Sequence, residues 1–239
     1  MTTRMATRMA TRMTDIAAML RLLAWLSPAF PTGAYAYSHG IEWAVEAGDI
    51  HDGPSLAAWL EDVLAHGAGR ADAIILRHAH AHGHAGADDI DALAALAELA
   101  LAAQPSRERR AECVGQGNAF LAAARAWQPD VIARLAACIG DVPYAVAVGA
   151  LAGANAIDVD MACAGLVQGF AANLISAAVR LVPLGQSTGL AVLAGLEPAI
   201  TRIVASTRAA TLDDLGGACF RSDIAAMRHE TQYTRLFRS

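Results

Sequence analysis

Apolar side chains recur along this 239-residue chain at the three- and four-residue spacing of α-helices. Ile16, Met19, Leu20 and Leu23 begin the pattern and predict an amphipathic helix over 15–26. Prolines, glycines and capping residues divide the rest of the chain into further helical segments. These are predicted over 35–47, from Asp52 to about His80 with a break at Gly67 to Gly69, and over 88–103, 107–127, 129–139, 143–156, 161–182, 187–207 and 221–230.

The predicted fold class is all-α, because valine, isoleucine and threonine never form the long alternating runs of strands. No stretch has the composition of a domain linker, so residues 15–230 are predicted to form a single compact bundle of roughly ten helices. The long apolar segment 161–182 is expected at its centre. Residues 1–14, a Thr-Arg-Met repeat, are interpreted as a disordered extension, and residues 231–239 as a C-terminal partner-binding tail.

Composition excludes several classes of function. All 18 basic residues are arginine, so the chain has neither the lysine of a phosphate-binding loop nor one for Schiff-base catalysis. Residues 13–220 carry 11 arginines against 21 acidic residues, which argues against nucleic-acid binding. The polar residues within 161–182 favour a buried helix over a membrane span, although the high hydropathy leaves a membrane-associated protein as an alternative.

Four histidines, at positions 78, 80, 82 and 84, are the most conspicuous candidate metal ligands. On a helix His78 and His82 share one face, and imidazole suits nickel and other transition metals. The preferred interpretation is a polar helix end that continues into a loop, with His78 and His82 as weak metal candidates. The alternative is a small all-α, histidine-rich metal-binding protein or metalloenzyme.

No group of residues has the pattern of a catalytic site. Ser38 and His39 are adjacent with Glu42 nearby, but a nucleophilic triad needs side chains that converge from different elements. The four cysteines lack C-x-x-C spacing and are expected to be reduced core residues of a cytoplasmic protein. We therefore expect a protein that is not an enzyme and has no tightly bound cofactor.

Both ends of the helical body have unusual composition. The stretch SPAFPTGAYAYSHGIE (27–42) concentrates aromatic residues, prolines and glycines in one short segment. The chain finishes with apolar side chains among arginines, in MRHETQYTRLFRS (227–239). Apolar anchors beside arginine are typical of protein-binding hot spots. The alternative is that the tail folds back on its own domain.

These two segments resemble the signatures of a known family. LLAWLSPAFPTGAYAYSHGIE (22–42) resembles the opening signature of the urease accessory proteins UreF, and FRSDIAAMRHETQYTRLFRS (220–239) resembles their closing signature. The blocks at 141–157 and 181–200 are similar to the family's middle blocks. The resemblance covers about 20–239.

The resemblance implies an all-α homodimer without catalysis of its own. It implies an adaptor that bridges a second accessory protein, called D or H, and the GTPase UreG, so that nickel enters apo-urease, with possible regulation of the GTPase. Nickel would be handled by the complex, and neither nucleic acid nor membrane is an implied partner. The partner-binding residues carried over to this sequence are Tyr35, Tyr37, Ser38, Glu42, His229, Tyr233, Arg235, Leu236, Phe237 and Arg238.

Overall fold

The computed structural model describes residues 16–85 and 89–239, and within those ranges it contains helices and turns but no strand. The extension predicted over 1–14 lies outside the described residues. Short 3₁₀ turns occupy Ala34–Ala36, Ala124–Ala126 and Leu212–Asp214. The α-helices are α1 (Ile16–Trp25), α2 (Ile41–Glu46), α3 (Gly53–His66), α4 (Ala68–Ala85), α5 (Ile90–Ala102), α6 (Arg107–Ala123), α7 (Pro129–Ile139), α8 (Tyr144–Ala154), α9 (Val159–Leu181), α10 (Gln186–Gly195), α11 (Glu197–Ser206) and α12 (Phe220–His229).

The centre of the bundle is α8, not the longer α9 that the sequence predicted there. Every residue from Ala145 to Gly153 is buried, whereas α9 leaves Met161 and Gln168 on the surface. The reason is side-chain size. Alanine, glycine and valine dominate α8, so neighbouring helices can approach its backbone from every side, and a helix that is apolar all round is buried.

Helix α4 makes the closest helix contact with α8. A Cβ atom added at Gly83 would lie 2.8 Å from the Cα atom of Ala150, and one added at Gly149 would lie 2.8 Å from the Cβ atom of Ala79. This packing extends α4 to Ala85, beyond the predicted end near His80, because the close contact with α8 continues to Gly83. Gly83 permits this contact because it has no Cβ atom.

An aromatic cluster fixes the start of the 27–42 segment against the body. Trp25 makes edge-to-face contacts with Phe120 and Trp127, at centroid distances of 6.0 and 5.9 Å. Phe30 packs on the same two rings, and Phe120 continues to Tyr144 on α8. Aromatic pairs of this geometry add to the free energy gained from burial. The chain therefore uses its few aromatic residues to hold the turn after α1.

Side-chain caps begin several helices where the sequence placed them. The carboxylate of Asp52 accepts from the Ser55 amide at 2.8 Å, and the Ser106 hydroxyl accepts from the Arg109 amide at 3.1 Å. At the start of α9 the Asp158 carboxylate accepts a bond of 2.9 Å from the amide of Met161. Each cap satisfies an amide that has no partner within its own helix.

Helix α1 turns its apolar stripe outward. Ile16, Met19, Leu20 and Leu23 are exposed, at 54%, 44%, 58% and 63%. The opposite side of the helix, with Ala18, Leu22 and Trp25, covers the core instead. An amphipathic helix normally buries such a stripe, so the structure leaves an apolar surface that its own core does not use.

Two helical stretches are long and apolar enough to cross a membrane by length and composition, Val159–Leu181 and Gln186–Ser206. In the most apolar 18-residue window of each stretch 50% and 39% of the residues are buried, so α9 to α11 contribute to the core. Core helices of globular proteins commonly meet the same criteria, and this feature is weak support for the membrane-associated alternative.

The α4–α8 contact gives a first prediction. Gly83→Ala should lower the free energy of unfolding by about 2 kcal/mol, because the new methyl group must displace the backbone at Ala150. Urea unfolding followed by circular dichroism measures the change. Gly195→Ala is the matched control, since nothing lies within 4 Å of a Cβ atom at Gly195. Equal effects of the two substitutions would contradict the packing argument.

Candidate functional site

The segment from Gly33 to Ile41 is a tight turn and not the start of the helix predicted over 35–47. Ala34–Ala36 form a 3₁₀ turn, and α2 begins only at Ile41. His39 and Gly40 have φ angles of 57° and 77°, in the left-handed region. A Cβ atom at Gly40 would lie 2.7 Å from the backbone nitrogen of Ala226 in α12. The approach of α12 is therefore the physical reason for the late helix start.

The C-terminal tail lies along this turn. The Arg238 amide donates to the Ala36 carbonyl at 2.8 Å, and the Ser38 amide donates to the Ser239 carbonyl at 2.7 Å. The Ser38 hydroxyl donates to the same carbonyl. Of the two possibilities left open by the sequence, the structure has the one in which the tail folds back. Residues 231–239 lie against the body, and Phe237 and Ser239 are buried.

The carboxylate of Glu42 is the main anchor of the tail. Oε1 accepts from the Leu236 amide at 2.6 Å, and Oε2 accepts from the Phe237 amide at 2.9 Å. Oε2 also lies 3.2 Å from Nε2 of His229. Glu42 is only 7% exposed, and a buried carboxylate is tolerated when donors surround it in this way. It binds the tail internally and does not face solvent.

Residue His229 connects the anchor to α6. Its ring is fully buried, with Nδ1 2.6 Å from Oε2 of Glu108 and Nε2 facing Glu42. The other oxygen of Glu108 accepts from the Arg235 guanidinium at 2.6 Å. Side chains from α2, α6, α12 and the tail therefore form one network of charged hydrogen bonds.

The far end of the tail reaches a second charged group inside the body. The Ser239 hydroxyl donates to Oε2 of Glu112 at 2.5 Å, and Glu112 is paired with Arg109. Burial raises the pKa of the nearby Asp72 to about 6, with Arg109 opposing the shift and Glu112 adding to it. Burial, with a contribution from Arg109, lowers the pKa of His39. The fold therefore places two ionisable side chains, Glu112 and Arg109, where the tail ends at Ser239.

The predicted partner-binding residues come from two parts of the sequence, the opening segment and the C-terminal part. The structure brings these two parts together, although more than 180 positions separate Glu42 from His229 in sequence. The buried members are Ser38, Glu42, His229 and Phe237; the exposed members are Tyr35, Tyr233, Arg235, Leu236 and Arg238, with Tyr37 half-buried between them.

Sequence reasoning missed the residues that complete the site. Glu108 and Glu112 lie four positions apart on one face of α6, which brings both carboxylates to the tail. Arg180 lies with its guanidinium carbon 4.3 Å from the Phe237 ring centroid, a cation–π contact, and donates to the Tyr35 carbonyl at 2.9 Å. The only sequence signal for these residues was the four-residue spacing of Glu108 and Glu112 in RERRAEC (107–113). The same spacing is typical of a solvent-exposed helix face, so it did not indicate a site.

The four histidines of α4 do not converge. His80 contacts the Ile157 carbonyl at 2.7 Å, His78 contacts the Ala210 carbonyl at 3.3 Å, and His82 pairs with Asp89. Over 16–85 and 89–239 no group of three or more histidine, cysteine or acidic side chains is arranged to hold a metal ion. Three of the four histidines thus bind neighbouring segments, which gives the metal-binding alternative no support.

Comparison with known proteins agrees with the resemblance of the two signatures. The UreF family model matches residues 50–197. A urease accessory protein UreF of Rhodopseudomonas palustris strain BisB18 is 51% identical over 225 residues, covering 93% of this chain and 92% of the relative. UreF proteins of Methylobacterium sp. strain 4-46 and Bradyrhizobium sp. strain BTAi1 are 51% and 49% identical, over 92% and 94% of this chain and 88% and 93% of the relatives.

The described residues form an all-helical fold, and the similar proteins are named as accessory proteins. The chain belongs to the UreF family of urease accessory proteins. The family model begins after the opening signature and ends before the tail, so the contact between the two ends is additional information from the structure.

The partly buried Asp72 gives a pH-dependent prediction. Its pKa is about 6 in the folded chain against 3.8 ordinarily, so the folded state holds this proton more tightly. Stability from this group therefore falls as pH rises from about 4 to about 6 and stays low above that. Asp72→Asn should raise the free energy of unfolding by about 2–3 kcal/mol at pH 7.5, and by much less at pH 4.5.

Urea unfolding at the two pH values tests this. Asp141→Asn is the control, because Asp141 is an exposed carboxylate. A stabilisation by Asp72→Asn that is the same at both pH values would contradict the assignment of the penalty to the ionised carboxylate.

Proposed function

We propose that this chain is the adaptor of a nickel-insertion complex, which bridges the D/H accessory protein and the GTPase UreG on apo-urease. The observation that carries the proposal is the conformation of the tail. Residues 231–239 are hydrogen-bonded to Glu42 and, through Ser239, to Glu112, but the side chains of Tyr233 and Leu236 face outward. Membership of the UreF family supports a role in urease maturation.

The outward face of the tail is the proposed binding surface for the D/H protein. Tyr233 is fully exposed, and Leu236 is 65% exposed, although both lie in a segment whose backbone is hydrogen-bonded to the body. Arg235 lies between them with its guanidinium held by Glu108. Apolar anchors on a fixed backbone lose little conformational entropy on binding, which favours a specific interface.

Helix α1 is the proposed homodimer surface. Its exposed stripe of Ile16, Met19, Leu20 and Leu23 is accompanied by a single charged side chain between 16 and 26, Arg21. Apolar patches depleted of charge are typical of homodimer interfaces. Pairing α1 with a second copy would bury the stripe symmetrically and remove the exposed surface that the fold leaves on this helix.

For Glu42 the proposed contribution to GTPase coupling is indirect. The carboxylate is buried and occupied by tail amides and His229, so it positions the tail and does not itself contact a partner in this conformation. The exposed Tyr35, whose carbonyl is held by Arg180, remains the candidate contact to the GTPase in the opening segment. Nickel would be passed through the assembled cytoplasmic complex without a tightly bound cofactor in this chain.

The tail surface is tested by co-purification of the chain with the D/H protein and UreG. The double substitution Tyr233→Ser and Leu236→Ser should weaken capture of the D/H protein at least about tenfold, since each exposed anchor contributes about 1 kcal/mol or more. Both changes leave the tail backbone intact. Leu190→Ser is the control, a leucine of similar exposure on α10. Unchanged capture by the double variant would refute this surface.

The dimer surface is tested separately. Leu20→Glu combined with Leu23→Glu should give a folded monomer at micromolar concentration, because two carboxylates would be buried in the interface. Analytical ultracentrifugation measures the mass, and Leu190→Glu controls for a charge added elsewhere on the surface. A variant that remains dimeric would place the interface away from α1.

A further inference from the structure

We propose that the opening repeat of this chain, residues 3–13, binds across the outer side of α12, where it covers an exposed apolar stripe and places an arginine in the acidic cleft beside it. This surface is distinct from the outward face of the tail and from the exposed stripe of α1. The contact lies within one chain, so it goes beyond the adaptor function and does not depend on it.

Helix α12 carries an apolar stripe that no other described segment covers. Phe220, Ile224 and Met227 are 70%, 54% and 49% exposed, and their spacing of four and three residues places them on one face of the helix. The opposite face, with Ala225 and Ala226, is buried. Apolar residues scattered singly over a surface are ordinary, whereas a contiguous row of large ones marks an interaction site.

A cleft with a volume of about 180 Å³ opens beside the first turn of α12. Trp59 and Asp62 line it from α3, Arg221 lines it from α12, and Asp49 lines it from the segment between α2 and α3. Trp59 is only 7% exposed, and within the part of the chain that the structure describes its indole N–H has no hydrogen-bond partner. A buried donor without an acceptor is costly, so a ligand that supplies a carbonyl oxygen, such as a peptide, is favoured.

The side chains around the cleft leave an excess of negative charge. Arg221 is paired with Asp49 at 2.5 Å, and its guanidinium carbon lies 5.5 Å from the centroid of the Trp59 ring. Asp62 is exposed and takes part in no ion pair over 16–85 and 89–239. Asp223 follows on α12 as a further carboxylate. The cleft therefore favours a peptide that carries a cation.

The opening repeat has the complementary chemistry. MTTRMATRMATRMTD (1–15) contains the pair Arg-Met three times at four-residue intervals, and Asp15 is its first acidic residue. Methionine is adaptable and packs favourably against aromatic rings such as that of Phe220. Each pair thus combines a cation for the cleft with an apolar side chain for the stripe.

The attachment of the repeat to α1 permits this contact. The 15 residues before Ile16 span up to about 50 Å when extended, and a compact domain of this length has a radius of gyration of about 18 Å. Helix α12 also packs on the turn at Gly40, which follows α1 in the chain. Arg228, the second exposed cation of α12, lies away from the cleft, so we expect the arginines of the repeat at the Phe220 end.

The test is photo-crosslinking of the full chain with benzoylphenylalanine at position 9. At micromolar concentration, irradiation should link position 9 to α12 or to the α3 wall of the cleft, and peptide mass spectrometry locates the link. The sample is an equal mixture of labelled and unlabelled chain. Links within one chain are thereby distinguished by mass from links between two copies, and we expect the former.

A double substitution on α12 tests the stripe. Phe220→Ser combined with Ile224→Ser should lower the yield of these links at least about fivefold, because each exposed anchor contributes about 1 kcal/mol to such a contact. Leu190→Ser is the control, since Leu190 on α10 is exposed to the same extent as Phe220. The control should keep the yield of the native sequence.

Two further variants test the charges. Asp62→Asn should lower the yield about twofold, the effect of one exposed ion pair, while Asp141→Asn, an exposed carboxylate elsewhere, should leave it unchanged. Replacing Arg4, Arg8 and Arg12 together by glutamine should lower the yield by more than Asp62→Asn does. The arginine variant changes no residue of the helical body, so the proposal can be decided even if the α12 variant does not fold.

The proposal is refuted by any of three results. These are links from position 9 that are absent or lie outside α3 and α12, links only between labelled and unlabelled copies, and a yield that the arginine substitutions leave unchanged. The second result would assign the stripe to the repeat of another copy. None of these measurements involves the D/H protein or the GTPase, so this contact and the adaptor function can fail independently.

Discussion

A buried carboxylate determines how the C-terminal tail is arranged against the opening turn of this protein. Glu42 lies on the first full turn of α2 with 7% exposure, and an ionised group in that position is costly unless donors surround it. The chain supplies those donors from its last residues, the amides of Leu236 and Phe237, and from His229. Satisfying one charge therefore brings the end of the chain to a turn near its beginning.

That contact explains why two segments of unusual composition stand at opposite ends of the sequence. The turn needs Gly40 because α12 leaves no room for a Cβ atom there, and it needs the buried Ser38 to bind the last residue. The tail in turn buries Phe237 under Arg180 and leaves Tyr233 outside. Each segment is thus the binding site of the other.

The small residues of the core have a related consequence. Alanine and glycine let α4 and α8 approach until backbone meets backbone at Gly83 and Ala150, but such helices bury little side-chain area each. Larger apolar side chains remain on the surface, in α1 and at the tail. A fold built in this way has apolar surface left for association, which is consistent with an accessory protein that works by assembly.

The sequence by itself determined the helical class, the position of most helices, and the family. These follow from local properties: the spacing of apolar residues, caps such as Ser106 and Asp158, and two contiguous signatures. Only the tertiary structure decided that α8 is central, that the stripe of α1 faces outward, and that Glu42 and His229 are internal anchors. Those outcomes depend on which backbones approach closely and which distant charges meet, and neither is encoded in the spacing of neighbouring residues.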